Sequence, residues 1–584
     1  MSVGSVQVSH YDPPRLSAAT GCRISLRNLS PMSLLIDIFG FLAVMLRGVV
    51  VAAQSITLGG IGFLVLLALP LRNELGTVAP VILARVRRWI GLAALAVIVI
   101  QALRLGVATA TLSETTGLSL TGLWSADYFT AGVLSIAAAF LVAVASRSAT
   151  PGAVVSMVLG GAGLLLSSAL TSHAAARFDD RLSLGLAGAL HQLGAAIWIG
   201  GLPFFLFALA RTEGTSGMAA VSRRYSLMSM GSVAAILLGG VAFAFGYFDS
   251  PEAVWGTAYG VMVSTKVVLF MALLLFGLAN FRLVERLRRN PATPALRLRR
   301  FAEVELGIGL TIFFAAASLT SLPPAIDLVQ GRVTLTEVAA RLVPQAPLLV
   351  SPDHADLAIP KLQAELDAKA AEARQEAPQA FVPGAGLPPP KTAEDIAWSE
   401  YNHHWAGLVV LAIGLLSLAE RTGRAPWARH WPLLFLVLAF FLIIRSDPEV
   451  WPLGSIGLWE SMRDPEVVQH RVFMLLIIAF GLFEWAVRTG RMKSPGAALV
   501  FPLMTAMGGG FLLAHSHQLG NVKEELLIEY THIPLALFGI AAGWGRWLDL
   551  RLPGQGGRIA AWIWPLCFIA VGLSLVFYRE TSVV

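Results

Sequence analysis

Cysteine, charged residues and nucleotide-binding motifs are all scarce in this sequence. Its 584 residues include two cysteines, Cys22 and Cys567, which stand far apart and in no paired motif. A disulfide framework, a zinc finger and a Cys-x-x-Cys metal relay are therefore excluded. The sequence also lacks a Gly-x-x-x-x-Gly-Lys-Ser/Thr phosphate loop. Any transport is then passive or driven by a gradient, and not by ATP.

The low charge content predicts a membrane protein. Charged residues make up 14% of the chain and hydrophobic residues 56%, whereas about a quarter of a soluble domain is charged. Apolar runs of roughly 18 to 25 residues recur along the whole length, which is the span of a bilayer-crossing helix. An all-α polytopic membrane protein follows, because lipid offers the backbone no other partner. The arginines behind the net charge of +7 lie in short loops, so this charge does not indicate nucleic-acid binding.

The apolar runs predict about fourteen transmembrane helices in two bundles. We expect a disordered tail at 1–32, an eight-helix domain at 33–324, an extracytoplasmic linker at 325–400 and a six-helix, histidine-rich domain at 401–584. The predicted segments are 47–70, which follows a surface segment, and then 88–110, 126–146, 152–174, 182–210, 225–248, 256–284, 301–322, 404–420, 431–445, 470–487, 496–516, 531–549 and 560–578.

Arginines in alternate loops predict the orientation. One set of loops is rich in arginine, and the opposite loops at 111–125, 249–255 and 518–529 carry one lysine among them. By the positive-inside rule the basic loops are cytoplasmic. Both termini and the linker are then expected on the outer, periplasmic side.

Six of the eleven histidines are predicted to lie at the outer ends of four neighbouring helices. Neutral imidazole is the commonest metal ligand of proteins and also the usual axial ligand of membrane haem, so the cluster indicates a metal or haem site. The spacing favours His404, His470, His517 and His532 as ligands, with His403 and His515 beside them. A single histidine at an interface is, by contrast, more often structural.

The first half carries a second constellation at membrane depth. Ionisable groups there usually face the protein interior and are functional candidates, although a buried histidine can also simply hydrogen-bond a carbonyl. Thioethers are soft ligands for Cu(I), although methionine in an apolar helix is more often packing filler. The candidates are His191 and Trp198 on one helix face, Tyr259, Met262 and Lys266 on another helix, His173 at the outer lip, and Met228 and Met230.

These motifs resemble the CopD copper-resistance family. The resemblance covers roughly 35–325 and implies an inner-membrane protein that moves copper from the periplasm to the cytoplasm, often beside a periplasmic CopC protein. The second half resembles the C-terminal extension of longer family members. The stretch before residue 33 is too short to hold a fused CopC-like domain, which leaves open whether a separate CopC-like chaperone delivers the metal. The motifs are His173, the His191…Trp198-x-Gly200-Gly201 helix, Tyr259…Lys266, and Val304-Glu305-Leu…Leu319-Thr-Ser-Leu-Pro323-Pro324.

The sequence therefore predicts a copper-binding bacterial inner-membrane protein that is not an enzyme. Its partners would be membrane lipid and copper, as Cu(I) or Cu(II). The outer histidine cluster would capture the metal, and the buried face of the first half would form part of a path. Two alternatives stay open, namely a membrane b-type cytochrome with haem b on the outer histidines, and a copper-delivery or assembly factor that does not transport.

Overall fold

The chain is mainly helical in the part that its computed structural model describes. That part is residues 39–358 apart from 118, 120, 121, 123, 125 and 291, and residues 392–580 apart from 463 and 515–522. Within these residues the one β contact is an isolated bridge between Val450 and Ile456. Thirteen described helices are long and apolar enough to cross a membrane, and the apolar helix Ala497–Leu513 is shorter. The predicted all-α polytopic membrane fold is confirmed. The count of fourteen and the division into two bundles stay predictions, and the tail at 1–32 lies outside the described residues.

The described residues of the first half form nine principal helices. Consecutive spans are joined by short connections, so the arginine-rich loops gather at one end of the bundle, the basic end, and the other loops at the opposite end, the outer end. The helices are α1 (Phe39–Phe63), α2 (Ala79–Thr116), α3 (Asp127–Ala145), α4 (Pro151–Leu170), α5 (Arg181–Ala195), α6 (Leu202–Thr212), α7 (Gly217–Tyr247), α8 (Ala258–Arg289) and α9 (Leu296–Leu319).

A π-helical turn over Ala196–Gly200 joins α5 to α6. Pro203 follows it in the first turn of α6 and lacks the N–H that a regular helix would use. The turn lies against α1, where a Cβ added to Gly200 would lie 1.9 Å from the Ser55 carbonyl oxygen. Glycine is therefore required for this approach, which fixes the place of Trp198 in the middle of the turn. Such π-helical turns are frequent at functional sites.

The second half follows a short amphipathic helix in the linker. That helix, α10, starts with a capping box between Thr334 and Glu337. A second capping box, between Thr392 and Asp395, starts the next helix at Ala393, which is inside the stretch that we predicted as linker. The helices are α10 (Leu335–Leu342), α11 (Ala393–Arg421), α12 (Leu434–Arg445), α13 (Pro465–Arg488), α14 (Val500–Ala514), α15 (Lys523–Arg551) and α16 (Gly554–Val576).

The two halves pack directly against each other through α9. Gly307 lies against the indole of Trp544, so close that a Cβ on this glycine would meet the ring at 1.7 Å. One turn earlier, Glu303 accepts hydrogen bonds from Trp547 Nε1 at 3.0 Å and from Arg551 Nη2 at 3.1 Å. The main hydrophobic core accordingly continues from the first half into α14 and α15.

A buried ionic network closes the basic end of the second half. Glu484 is fully buried (0% exposed) and accepts from Arg488 Nε at 2.7 Å and from Arg546 Nη2 at 3.1 Å. Arg488 also pairs with Glu420, which accepts a hydrogen bond from Trp431 Nε1 at 3.0 Å. Sequence reasoning missed this network, because its charged residues read as ordinary helix ends beside basic loops.

Candidate metal sites

His403 on α11 and His532 on α15 face each other near the outer end. Their ring centroids are 6.0 Å apart, and the ring planes are nearly perpendicular, at 83°. The Nδ1–H of His403 donates to the Ser399 carbonyl at 2.8 Å, and that of His532 donates to the Ile528 carbonyl at 2.9 Å. A carbonyl can only accept, so in the neutral ring Nδ1 holds the proton and Nε2 holds the lone pair. This tautomer suits a metal ligand, because a carbonyl on the other nitrogen orients the ring.

An aromatic ring supports this pair of histidines. Tyr578 stacks on His403, with centroids 3.9 Å apart and planes 15° apart. Its hydroxyl accepts a hydrogen bond from Arg341 Nη2 at 2.6 Å. Burial and the nearby Glu580 carboxylate hold the pKa of Tyr578 above its ordinary value. The ring therefore stays a neutral phenol that packs beside the histidines.

His404 occupies a different position from its neighbour His403. Its side chain is 0% exposed, and both ring nitrogens are engaged. Nδ1 accepts from the Leu348 backbone N–H at 2.7 Å, and Nε2 donates to the Tyr578 carbonyl at 2.8 Å. His404 thus joins the linker to the segment after α16, and we leave it out of the proposed ligand set.

Replacement of His404 by alanine is expected to lower stability without removing bound copper. The change leaves the Leu348 N–H and the Tyr578 carbonyl without their partner in a buried place, which costs about 1–3 kcal/mol for such a group. Thermal unfolding in detergent and metal analysis of the same sample check this. Copper loss at unchanged stability would contradict the structural role.

His470 at the start of α13 is held by a carboxylate. Its Nδ1 lies 2.6 Å from Asp447 Oδ1. Burial alone would raise the pKa of Asp447, but hydrogen bonds from His470 and Ser446 and the charge of Arg471 bring it below the ordinary value. The carboxylate therefore stays ionised and orients the imidazole, as a carboxylate partner does for metal-bound histidine.

The described residues do not assemble three or more His, Cys, Asp or Glu side chains close enough to hold a metal ion. They bring together the pair His403 and His532, and His470 lies near enough to His532 to influence it electrostatically. The predicted ligands His515 and His517 lie outside the described residues. The role of the outer histidine cluster as a ligand set stays a prediction.

His173 lies at the outer mouth of the first half. Its ring centroid is 6.3 Å from those of Tyr247 and Tyr259, and its buried Nε2 has no hydrogen-bond partner in the described structure. Burial lowers the pKa of His173, although a hydrogen bond to the Leu319 carbonyl acts in the opposite direction. The neutral ring borders a cavity of about 320 Å³ whose charged lining residues are Arg177, Asp179, Asp180 and Asp327.

His191 lies deeper, about 15 Å from the outer end of α5. Its Nδ1–H donates to the Ile236 carbonyl on α7 at 2.9 Å, so Nε2 again holds the lone pair. Lys266 on α8 is close enough to His191 to interact electrostatically and forms no ion pair or hydrogen bond within the described part of the chain. A structural histidine would make the same carbonyl bond, so the bond alone does not assign a role.

The remaining path candidates differ in burial. Met262 and Tyr259 are buried together below His173, and Trp198 is buried on the π-helical turn. Met228 is half-buried, whereas Met230 is 53% exposed on the side of the bundle that faces away from its core. We therefore do not carry Met230 into the proposed path.

Glu305 was recognised only as part of the family motif, and Asn280 was missed as a site residue, although the signal was present. Both are polar residues in the interior of apolar spans, which marks functional candidates. Glu305 accepts from Asn280 Nδ2 at 2.7 Å and from Trp198 Nε1 at 3.2 Å. The spacing along the chain could not reveal this contact, because the three residues lie on three different elements.

Comparisons with known proteins support the resemblance to the CopD family. The profile of the family described as copper resistance protein D, CopD, matches residues 219–319. The copper transport protein CutJ of Bacillus subtilis (strain 168) is 32% identical over 165 residues, which cover 28% of this chain and 29% of that relative. The aligned part thus spans less than a third of the relative's length. No solved structure matches the chain significantly. The resemblance to the CopD family is confirmed over the matched part.

Proposed function

We propose that this CopD-family membrane protein moves copper ions across the bacterial inner membrane, from the periplasm toward the cytoplasm. The pair His403 and His532 at the outer end would capture the ion. The observation that carries the proposal is the shared tautomer of these two rings, whose centroids lie 6.0 Å apart and whose Nδ1–H groups both donate to a backbone carbonyl, so that both Nε2 atoms hold a lone pair. Imidazole nitrogen suits copper in either oxidation state.

The first half supplies donors at increasing depth. From the outer end inward these are His173 at the mouth, Met262 about 6 Å along α8, and His191 about 15 Å along α5. Nitrogen and thioether donors of this kind suit copper better than hard cations. The aspartates around the mouth would raise the local cation concentration. We infer that copper passes along this face.

A periplasmic copper-binding protein of the CopC type is the partner that the proposal favours. Both candidate sites lie toward the outer end, where such a protein would deliver its ion. The name of the relative, a copper transport protein, fits a transport role rather than catalysis. Membrane lipid would surround the apolar spans.

Metal analysis and vesicle uptake test the proposal. Purified protein in detergent should hold near-stoichiometric copper and show no Soret band, and liposomes that contain the protein should accumulate copper faster than empty ones. A Soret band that shifts on reduction would make the histidines haem ligands and the protein a cytochrome. Bound copper without uptake would favour the delivery or assembly factor.

A further inference from the structure

Glu305 is a buried carboxyl group whose partners are both neutral. It is 3% exposed, with Oε1 accepting from Asn280 Nδ2 at 2.7 Å and Oε2 from Trp198 Nε1 at 3.2 Å. The described residues offer it no cation within ion-pair distance. Glu303, two residues earlier, pairs instead with Arg300 and Arg551. The two glutamates of one helix thus have opposite electrostatic surroundings.

An unpartnered oxygen lies beside this carboxyl group. Asn280 is 9% exposed, and its Oδ1 is buried without a hydrogen-bond partner among the described residues. The amide can serve both forms of Glu305. Its N–H donates to the carboxylate, whereas after a rotation its Oδ1 accepts the O–H of the protonated acid. The pair therefore provides a partner for the carboxyl group with and without a proton.

Glu305 lies so deep in α9 that its carboxyl group needs a proton when no cation is near. The residue lies about 14 Å from the basic end of α9 and about 21 Å from its outer end. An unpaired carboxylate at such a depth costs several kcal/mol, so the group takes up a proton or a cation. Oxygen ligands suit hard cations rather than copper. With only neutral partners beside it, a proton is the cation that this carboxyl group takes up.

Other titratable groups on the packed helices have partners or positions of their own. Tyr225 on α7 is the one that faces Glu305 electrostatically, and its hydroxyl donates to the Trp198 carbonyl. Lys266 is fourteen residues from Asn280 on α8, or about 21 Å away. Helix α14 carries no titratable residue. Charged groups of these helices that are held in ion pairs or ring contacts are Arg211 over Phe207, Glu285 with Arg288 and Arg289, Glu303 with Arg300 and Arg551, and Arg546 with Asp549, whereas Arg47 lies near the like charge of Arg104.

We propose that Glu305 is a proton-binding site that couples proton movement to copper transport. The carboxyl group is linked to the copper path by Trp198, which lies seven residues beyond His191 on the same helical segment and donates to Glu305. A proton bound at Glu305 would leave as a monovalent copper ion passes inward, so that one positive charge replaces another. The inference rests on the proposed function.

Proteoliposomes test this inference with two simultaneous readouts. Copper uptake is followed by a chelating dye inside the vesicles, and proton movement by a trapped pH-sensitive dye. With the wild-type protein, copper uptake should be accompanied by proton efflux, and the rate should respond to an imposed pH gradient. Glu305→Gln should bind copper as the wild type does but lose proton efflux and at least roughly tenfold of the uptake, a change of about 1.4 kcal/mol. Glu305→Asp should retain part of both.

The controls separate the two proposals. Glu285→Gln changes a partly exposed carboxylate at the basic end of α8 and should leave coupling intact. Copper uptake without proton movement by the wild type would overturn the coupling while leaving copper transport in place, and so would an unchanged Glu305→Gln. A wild-type protein that carries no copper would overturn the proposed function, and the coupling with it. Infrared spectra should also show a protonated carboxyl band that Glu305→Gln removes and Glu285→Gln retains, and a band unaffected by Glu305→Gln would overturn the assignment.

Discussion

The double replacement of His403 and His532 by alanine is expected to weaken copper binding at the outer site by at least roughly 100-fold. Loss of a group that only orients a metal ligand already costs 10- to 100-fold in affinity, and here both nitrogen ligands of the pair disappear. Competition against a chelator of known copper affinity measures the effect on detergent-solubilised protein.

Single variants show which histidines contribute to copper binding. His470→Ala and His532→Ala should both lower bound copper. His430→Ala should not, because this histidine lies at the basic end, where its Nδ1 accepts from Trp485 Nε1 at 3.1 Å. Equal loss in all three variants would contradict a single outer site, as would full copper retention in the double variant.

Replacement of Arg488 by alanine is expected to destabilise the second half by about 3–5 kcal/mol, as is typical when one partner of a buried ion pair is removed. The change leaves the fully buried Glu484 and the adjacent Glu420 without their shared guanidinium group. It also removes a cation that lies 4.9 Å from the ring centroid of Trp431 and 5.3 Å from that of Trp564. Thermal unfolding in detergent gives the difference.

Arg491 provides the matched control on the same side of the protein. This exposed side chain has its guanidinium 4.2 Å from the ring centroid of Trp485 and donates to the Thr489 hydroxyl. Arg491→Ala should cost less than about 1 kcal/mol, as expected for an exposed interaction. Similar losses in the two variants would show that burial does not set the strength of the network. Arg488→Met tests the charge alone, because it keeps most of the side-chain volume.

The helices could be predicted from the sequence because membrane spans have a strong local signal. Long apolar runs define α1 to α9 and α11 to α16, and most predicted segments overlap them closely. The start of α11 was placed too late, because its first turns are polar and its capping box at Thr392 lies in a stretch that reads as linker. The π-helical turn at Ala196–Gly200 depends on contact with α1, which no local pattern reveals.

The residue types of the candidate site could be predicted from the sequence, but their arrangement in space could be predicted only in part. His403 and His404 are neighbours in sequence, and the choice between them depends on Leu348 and Tyr578, which come from distant parts of the chain. The same is true of Glu305, whose donors lie on α8 and on the π-helical turn. Chain spacing fixes which face of a helix a residue occupies, but it does not fix which element packs against that face.

The contact between Gly307 and Trp544 constrains how α9 and α15 can change during evolution. One helix, α9, holds Glu305 toward the first half and Glu303 and Gly307 toward the second. A chimaera that takes α9 from one relative and α15 from another would set an unmatched side chain against the indole or leave a groove open to lipid. Natural recombination and laboratory domain exchange are therefore expected to carry the two helices together, so that the two halves diverge as one unit.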